Sequence, residues 1–409
     1  MRVAETIDRL KDHLNRCVRI SNVLAMWTIT TPEAELKTVF GRHLHWAVQA
    51  AERLRARLAE LAVDVDPRKL PVQSAADDLK ACEDALTTPD KIRALYQRAL
   101  PNLQASMADH ARRTGAIADE PTIRILDDLV AGIAVATSEA HRAFEGVCRT
   151  FPNIERESSA AEGHLPPRIP FRPARDRRFS ETAADPNLTD TVKLLHVFYT
   201  DLELSTIEAC SRMILEFPAM PWQFVIDMAR QCWDEARHAE AFRTRLLELG
   251  GHLGAYAVSY ALWEMGADEP VDVSLAVQQR VGEWIGVDGA IWQAQQLRFG
   301  GDEATSLLFD YVTLDEITHV AFGNKWLRAI AGSEARLKQV HDLALDKRSA
   351  CGKSVSGPLT FPYNDWACER GGYTEAERDE LRARFLKYGS QFKSLETQPE
   401  PDRVAIGGR

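Results

Sequence analysis

Asp234-Glu235-Ala236-Arg237-His238 returns, nearly copied, at Asp315-Glu316-Ile317-Thr318-His319, and no other feature narrows the fold of this chain as much. Residues three apart on a helix share a face, so each Glu points with its His at one spot. A carboxylate beside an imidazole is half a site for a transition metal, and two such halves facing each other in a helical bundle hold a metal pair. One Glu-x-x-His arises by chance in a chain of 409 residues. Two, each preceded by Asp and each inside a helical apolar pattern, point to a bundle built around ions.

Composition enters mainly by exclusion. A net charge of −10 argues against a nucleic-acid partner, which usually meets a basic face. Seven cysteines, scattered and never in Cys-x-x-Cys, predict neither a disulfide framework nor a zinc ribbon, and they fit a reducing cytoplasm. The N-terminus lacks an apolar signal region and no run reaches membrane-spanning length, so neither secretion nor membrane insertion is expected.

Punctuation by Pro and Gly divides the chain. Residues 1–150 carry apolar stripes at helical spacing, interrupted at Pro32 and Pro67 and restarted after Thr88-Pro89-Asp90, which predicts a helical domain. Residues 151–189 are rich in Pro and Arg (Pro166, Pro167, Arg168, Arg172, Arg175, Arg178) and read as a surface-wrapped linker, with an anionic-partner site as the alternative. Residues 190–345 predict four helices: about 189–216, 221–250, 272–299 and 302–332, closed by Gly250-Gly251, Gly300-Gly301 and Gly332. The longer gap between the second and third suits a crossover joining two antiparallel hairpins. Residues 346–409 read as a loop-rich tail with one short helix around 374–388 and a disordered last ten residues. The fold class is therefore all-α.

Two divalent metals are best matched by four carboxylates and two imidazoles, so each remaining helix must supply a Glu. On the first, Glu203 and Glu208 compete. The stripe through Glu203 (Tyr199, Ile207, Cys210, Ile214) reads as core, and the stripe through Glu208 (Asp201, Ser205, Ser211, Arg212) reads as wet, which favours Glu203. On the third, Glu283 lies among Val281, Trp284, Val287 and Ile291, and Asp288 faces elsewhere. Spacing agrees: 32 residues separate Glu203 from Glu235, and 33 separate Glu283 from Glu316. The expected ligands are Glu203, Glu235, His238, Glu283, Glu316 and His319. Asp234 and Asp315 could each accept the second N–H of a facing imidazole, with Arg237 pairing to one of these aspartates. Tyr199, Phe198, Trp284 and Trp233 are candidates to line the cavity, plain core being the alternative.

The first half echoes the second. Arg55–Leu61 resembles Arg243–Leu249, and that offset sets Ala47 and Ala50 against Glu235 and His238. Ala118–Thr122 resembles Gly301–Thr305, setting Ile133 and Ala136 against Glu316 and His319. A duplicated bundle whose first copy lost its metals, and serves as scaffold, homodimer surface or lid, is one reading; generic likeness of amphipathic helices is the other. His43 and His45, two apart, cannot share a helical face and read as surface or cap residues.

The order Glu, Glu-x-x-His, Glu, Glu-x-x-His resembles the ferritin-like di-iron carboxylate superfamily, and most closely an uncharacterised bacterial ferritin-like branch of it. The resemblance is carried by Leu194-Leu195-His196 leading to Glu203–Glu208, by 234–238, 283–288 and 315–320, and by the tail segments 357–364 and 371–374. It covers about 165–390. Asp201 departs from it, standing where that branch is expected to have His. The resemblance implies a ferritin-like four-helix bundle with two iron ions, manganese being the alternative. Glu203 with His238 and Glu283 with His319 would each serve one metal. Glu235 and Glu316 would bridge, which makes them the catalytic pair. It further implies O2 as co-substrate, a small organic molecule as the substrate oxidised and an external electron donor, since the chain has no flavin or iron–sulfur motif. An iron-handling ferroxidase and a metal-free helical scaffold are the competing classes.

Overall fold

The computed structural model describes residues 1–70, 77–156, 169–350 and 361–388. Among them the chain is all-helical: no strand forms, only an isolated bridge between Ala184 and Tyr256. No helix among these residues is long and apolar enough to cross a membrane. The chain makes two compact units, Met1–Ala267 and Asp268–Arg409.

In the first unit, α1 (Val3–Thr30) and α2 (Ala34–Glu60) are separated at Pro32, where a ring in place of an N–H ends a helix. After α3 (Asp77–Asp84), the hydroxyl of Thr87 accepts the Asp90 N–H and starts α4 (Thr88–Ala94). α4 runs through a π-helical segment, π1 (Leu95–Ala99), into α5 (Leu100–Arg113), and α6 (Glu120–Thr150) follows, capped by Asp119. Then come α7 (Asp190–Val197), π2 (Phe198–Glu203), α8 (Leu204–Glu216), α9 (Trp222–Glu248) and α10 (Ala261–Gly266). α2 is the hub, because α1, α6, α8 and α9 all pack on it.

That position corrects the expectation for His43. It is a buried residue, not a surface one, because α2 is covered on several faces at once; His45 is half-buried and stacks on Trp233 at 5.2 Å. The expected boundary also shifts. The sequence places it in 151–189, whereas α8 and α9 pack with α1 and α2, so the first unit extends to Ala267 and the division falls inside 190–345.

The described part of 151–189 lies along the surface of the first unit, with only Ile154, Pro173 and Asp176 buried, and ion pairs strap it down. Arg172 pairs with Glu264, Arg175 with Glu208, and Arg178 with both Glu35 (2.7 Å) and Asp176 (2.6 Å). Backbone bonds Ala174 N–H to Ile29 O and Val258 N–H to Ser180 O fix the same segment. Arg172, Arg175 and Arg178 are thus each paired with a carboxylate of the same unit. Pro166, Pro167 and Arg168 lie outside the described residues.

The second unit comprises α11 (Val271–Leu275), π3 (Ala276–Glu283), α12 (Trp284–Phe299), α13 (Glu303–Ala331), α14 (Glu334–Ala350), α15 (Asp365–Arg370) and α16 (Glu375–Tyr388). α13 ends on Gly332 at φ 69°, a left-handed cap that glycine adopts without a Cβ clash. α14, which begins ahead of the expected tail, and α15 within it are helices not expected from the sequence. α14 buries only Leu337, Val340, Ala344, Leu345 and Arg348, too sparse a stripe to announce itself. Arg280 pins the tail: it bonds Glu377 at 2.6 Å and lies 4.3 Å over the Tyr373 ring, whose hydroxyl returns a 2.7 Å bond to the Arg280 carbonyl. Segment 357–360 and the last ten residues, expected as family-like tail and disorder, lie outside the described residues.

Candidate metal centre

Each unit buries one Glu with one Glu-x-x-His. In the first, π2 ends on Glu203 and α9 carries Glu235 and His238. All three are buried, and each offers a ligand atom within 4.8 Å of the others. His238 Nδ1 lies 3.4 Å from Glu203 Oε2 and 3.4 Å from Glu235 Oε2, and the Gln231 amide donates to Glu235 Oε1 at 3.2 Å. Burial, and then the charge of Glu235, lifts the Glu203 carboxyl well above the usual carboxylate range, against the opposing pull of His238. In the second unit, π3 ends on Glu283 and α13 carries Glu316 and His319. These too are buried, with ligand atoms within 4.8 Å of one another and His319 Nδ1 3.1 Å from Glu316 Oε2.

Both first-helix glutamates are thus the last residue of a π-helical segment, a feature no residue pattern announced. A π turn takes one extra residue and advances the phase of everything after it, and such turns recur at functional sites. The third such segment among the described residues, π1, falls in register with them. The offset of 183 that sets Ala118 on Gly301 carries Leu95–Ala99 onto 278–282, inside π3, and Leu100 onto Glu283. Ala47, Ala50, Leu100, Ile133 and Ala136 are all buried and apolar, so the matching positions in the first half hold core, not ligands.

Around the ligands, the expected ion pair between Arg237 and Asp234 forms. Asp234 is wholly buried and held on its own helix by Arg237 and by Arg230 Nε at 2.8 Å; Asp315 is half-buried. Tyr199 packs edge-on against Phe179 at 6.5 Å, and its charged neighbours are Glu35, Arg243, Arg178 and Asp176. Trp233 is sandwiched among His45, Arg230 and Arg237. Trp284 sits 6.3 Å from the Tyr373 ring and Phe198 5.1 Å from that of Phe242. The stripe through Glu208 is not wet: Asp201, Ser205, Glu208, Ser211 and Arg212 are all buried. Glu208 takes Lys37 Nζ at 2.6 Å together with Arg175, so its charge is already matched by two cations. Asp201, at the position where His was expected, accepts the Ser259 N–H at 3.1 Å and the Thr200 hydroxyl at 2.9 Å, which ties down the stretch after α9; burial pushes its carboxyl up to about 6.

Asp288, set aside in the sequence as a residue on another face from Glu283, is a buried acid of the second unit. Asp288 is pushed up to about 8 by burial, against hydrogen bonds from the Asn364 backbone (3.1 Å) and side chain (2.8 Å). Its signal was present, an Asp in an apolar helix five residues after Glu283, but the partner that identifies its role lies far along the chain.

Comparison with known proteins adds three findings. One protein family, described as "Protein of unknown function (DUF455)", matches residues 133–379, more than half of the chain and inclusive of all six expected ligands. An uncharacterized protein of Haemophilus influenzae is 30% identical over 110 residues, which are 26% of this chain and 38% of that protein, so the chain spans well under two thirds of this relative. No solved structure matches.

Proposed function

We propose that this chain, which belongs to the DUF455 family, is a di-iron oxidoreductase that uses O2 on a small organic substrate. The observation that carries the reading is the repetition itself: each unit independently buries a terminal Glu on a π turn beside a Glu-x-x-His pair. In this reading the hairpins π2–α8/α9 and π3–α12/α13 form one ferritin-like four-helix bundle, with 250–270 as its crossover, and their ligands make one centre.

The donor set fits the ions. The two carboxylates of each unit, buried with an imidazole within 4.8 Å, repel one another when ionised, and a cation among them relieves that repulsion. Hard carboxylate oxygens with imidazole nitrogens suit ferrous iron or manganese and lack the thiolates a zinc or copper(I) site would favour. Glu203, Glu235, His238, Glu283, Glu316 and His319 would hold the ions. Bound there, a redox-active metal pair would supply the reduction of O2 that no side chain can. The chain's own part is positional. Gln231 orients Glu235, and the buried Asp234, locked between Arg230 and Arg237, fixes the rotation of the α9 turn that carries Glu235 and His238. Electrons would come from an external donor.

Elemental analysis of full-length protein expressed with iron tests the reading: two metals per chain are expected. Fewer than one, unchanged in Glu235→Ala, would sink it. Mixing the reduced, loaded protein with O2 then separates oxygenase from ferroxidase. Oxygen uptake that accelerates with a candidate metabolite supports the former, and substrate-independent mineralisation of added iron supports the latter.

A further inference from the structure

We infer that Tyr96 is a redox-active tyrosine, poised to lose an electron while His43 takes its proton. The Tyr96 hydroxyl lies 2.8 Å from His43 Nδ1, and His43 Nε2 lies 3.2 Å from Glu139 Oε2. A carboxylate can only accept, so Nε2 carries the imidazole proton and Nδ1 receives the phenolic O–H. Burial keeps His43 neutral by lowering its pKa, and the bond from His43 keeps Glu139 ionised by lowering its own. All three protonation states are therefore the ones a relay requires.

A phenol gives up an electron readily only if its proton can leave in the same event, since the protonated radical is a very strong acid. Tyr96 is buried, so water cannot take that proton, and His43 Nδ1 is the acceptor in place. The step balances. One electron leaves the ring for a high-potential one-electron oxidant, the O–H bond breaks, a new N–H forms at Nδ1, and the resulting imidazolium is held by Glu139 at Nε2. On reduction the proton returns along the same 2.8 Å bond.

Two placements favour a redox role over a plain buried hydrogen bond. Tyr96 stands on π1, in register with the π3 segment that ends on Glu283, and its buried hydroxyl has a buried proton acceptor in His43, with the part-exposed Glu139 behind it. Tyr96 also sits at the end of a packed path. Its ring stacks on Phe40 (6.3 Å between centroids, 7° between planes), next to Gly41. At Gly41, α2 and α9 approach so closely that an added Cβ would meet Cys232 O at 3.2 Å and the Ala236 Cβ at 3.5 Å. Ala236 adjoins Glu235. On the reading above, which this clause alone relies on, the physiological oxidant is the metal centre at the far end of that path.

Flash-quench oxidation tests Tyr96 without any metal: photogenerated ruthenium(III) tris-bipyridine is the oxidant, and electron paramagnetic resonance reads the radical. It is run on the full chain as purified and after chelation. A long-lived neutral tyrosyl signal is expected in both, at least fivefold weaker in Tyr96→Phe. In His43→Gln, where the ring remains and the acceptor is lost, its yield should fall roughly tenfold while the circular dichroism of the fold is retained. Equal long-lived signal in Tyr96→Phe, or no such signal in the native chain, overturns the assignment. Unchanged yield in His43→Gln overturns the relay. A chain that binds no metal yet shows the signal leaves Tyr96 standing and refutes only the di-metal reading.

Discussion

Glu203 and Glu208 lie five residues apart, both buried, in opposite electrostatic surroundings. Glu208 is matched by Lys37 and Arg175, and the buried cations depend on it as much as it on them. Removing it strands two charges in the interior, which for buried pairs costs about 3–5 kcal/mol. Glu203 instead faces Glu235, a like charge, and His238 Nδ1 lies 3.4 Å from its Oε2. Glu208→Ala should therefore lower the melting temperature steeply and leave bound iron per folded chain unchanged. Glu203→Ala should leave the metal-free protein as stable or more so and lose metal. Metal loss in Glu208→Ala with full retention in Glu203→Ala would reverse the ligand assignment. Spacing offered both residues, but not the cations that distinguish them, because Lys37 and Arg175 come from distant parts of the chain.

At the scale of elements, the π segments carry the argument. An α-helical reading assigns faces at a fixed 3.6-residue period, and a π turn breaks that period where Glu203 and Glu283 are set. Helix ends were legible, since Pro, Gly and capping Asp or Thr act locally. The π turns were not, because an extra residue in a turn is tolerated only when tertiary packing repays its poorer hydrogen bonds. π3 shows what holds it. At Gly323, α13 crosses it so closely that an added Cβ would lie 2.6 Å from Gln279 Cβ and 2.8 Å from the Arg280 nitrogen, and Arg280 reaches on to Glu377. Gly323→Ala should therefore destabilise the protein by about 1–3 kcal/mol through overpacking, read as a lower urea midpoint. A midpoint equal to the native one would mean the crossing is slack.

For the whole molecule, the division after Ala267 puts Glu203, Glu235 and His238 in one unit and Glu283, Glu316 and His319 in the other. One shared centre and two separate single-metal sites make different predictions. With one centre, Glu235→Ala and Glu316→Ala should each release both ions; with separate sites each should release one. Metal content per chain in the two variants decides between them. The sequence by itself determined the all-helical class, the helix limits and the paired Glu-x-x-His faces, because periodicity, caps and breakers act between neighbours in the chain. Only the tertiary structure decided that α2 is a hub burying His43, that the Pro/Arg segment is strapped by Glu35, Asp176 and Glu208, that π turns set the terminal glutamates, and that Tyr96, His43 and Glu139 meet. Each of these depends on which distant surface covers a residue. That is fixed by packing, not by spacing.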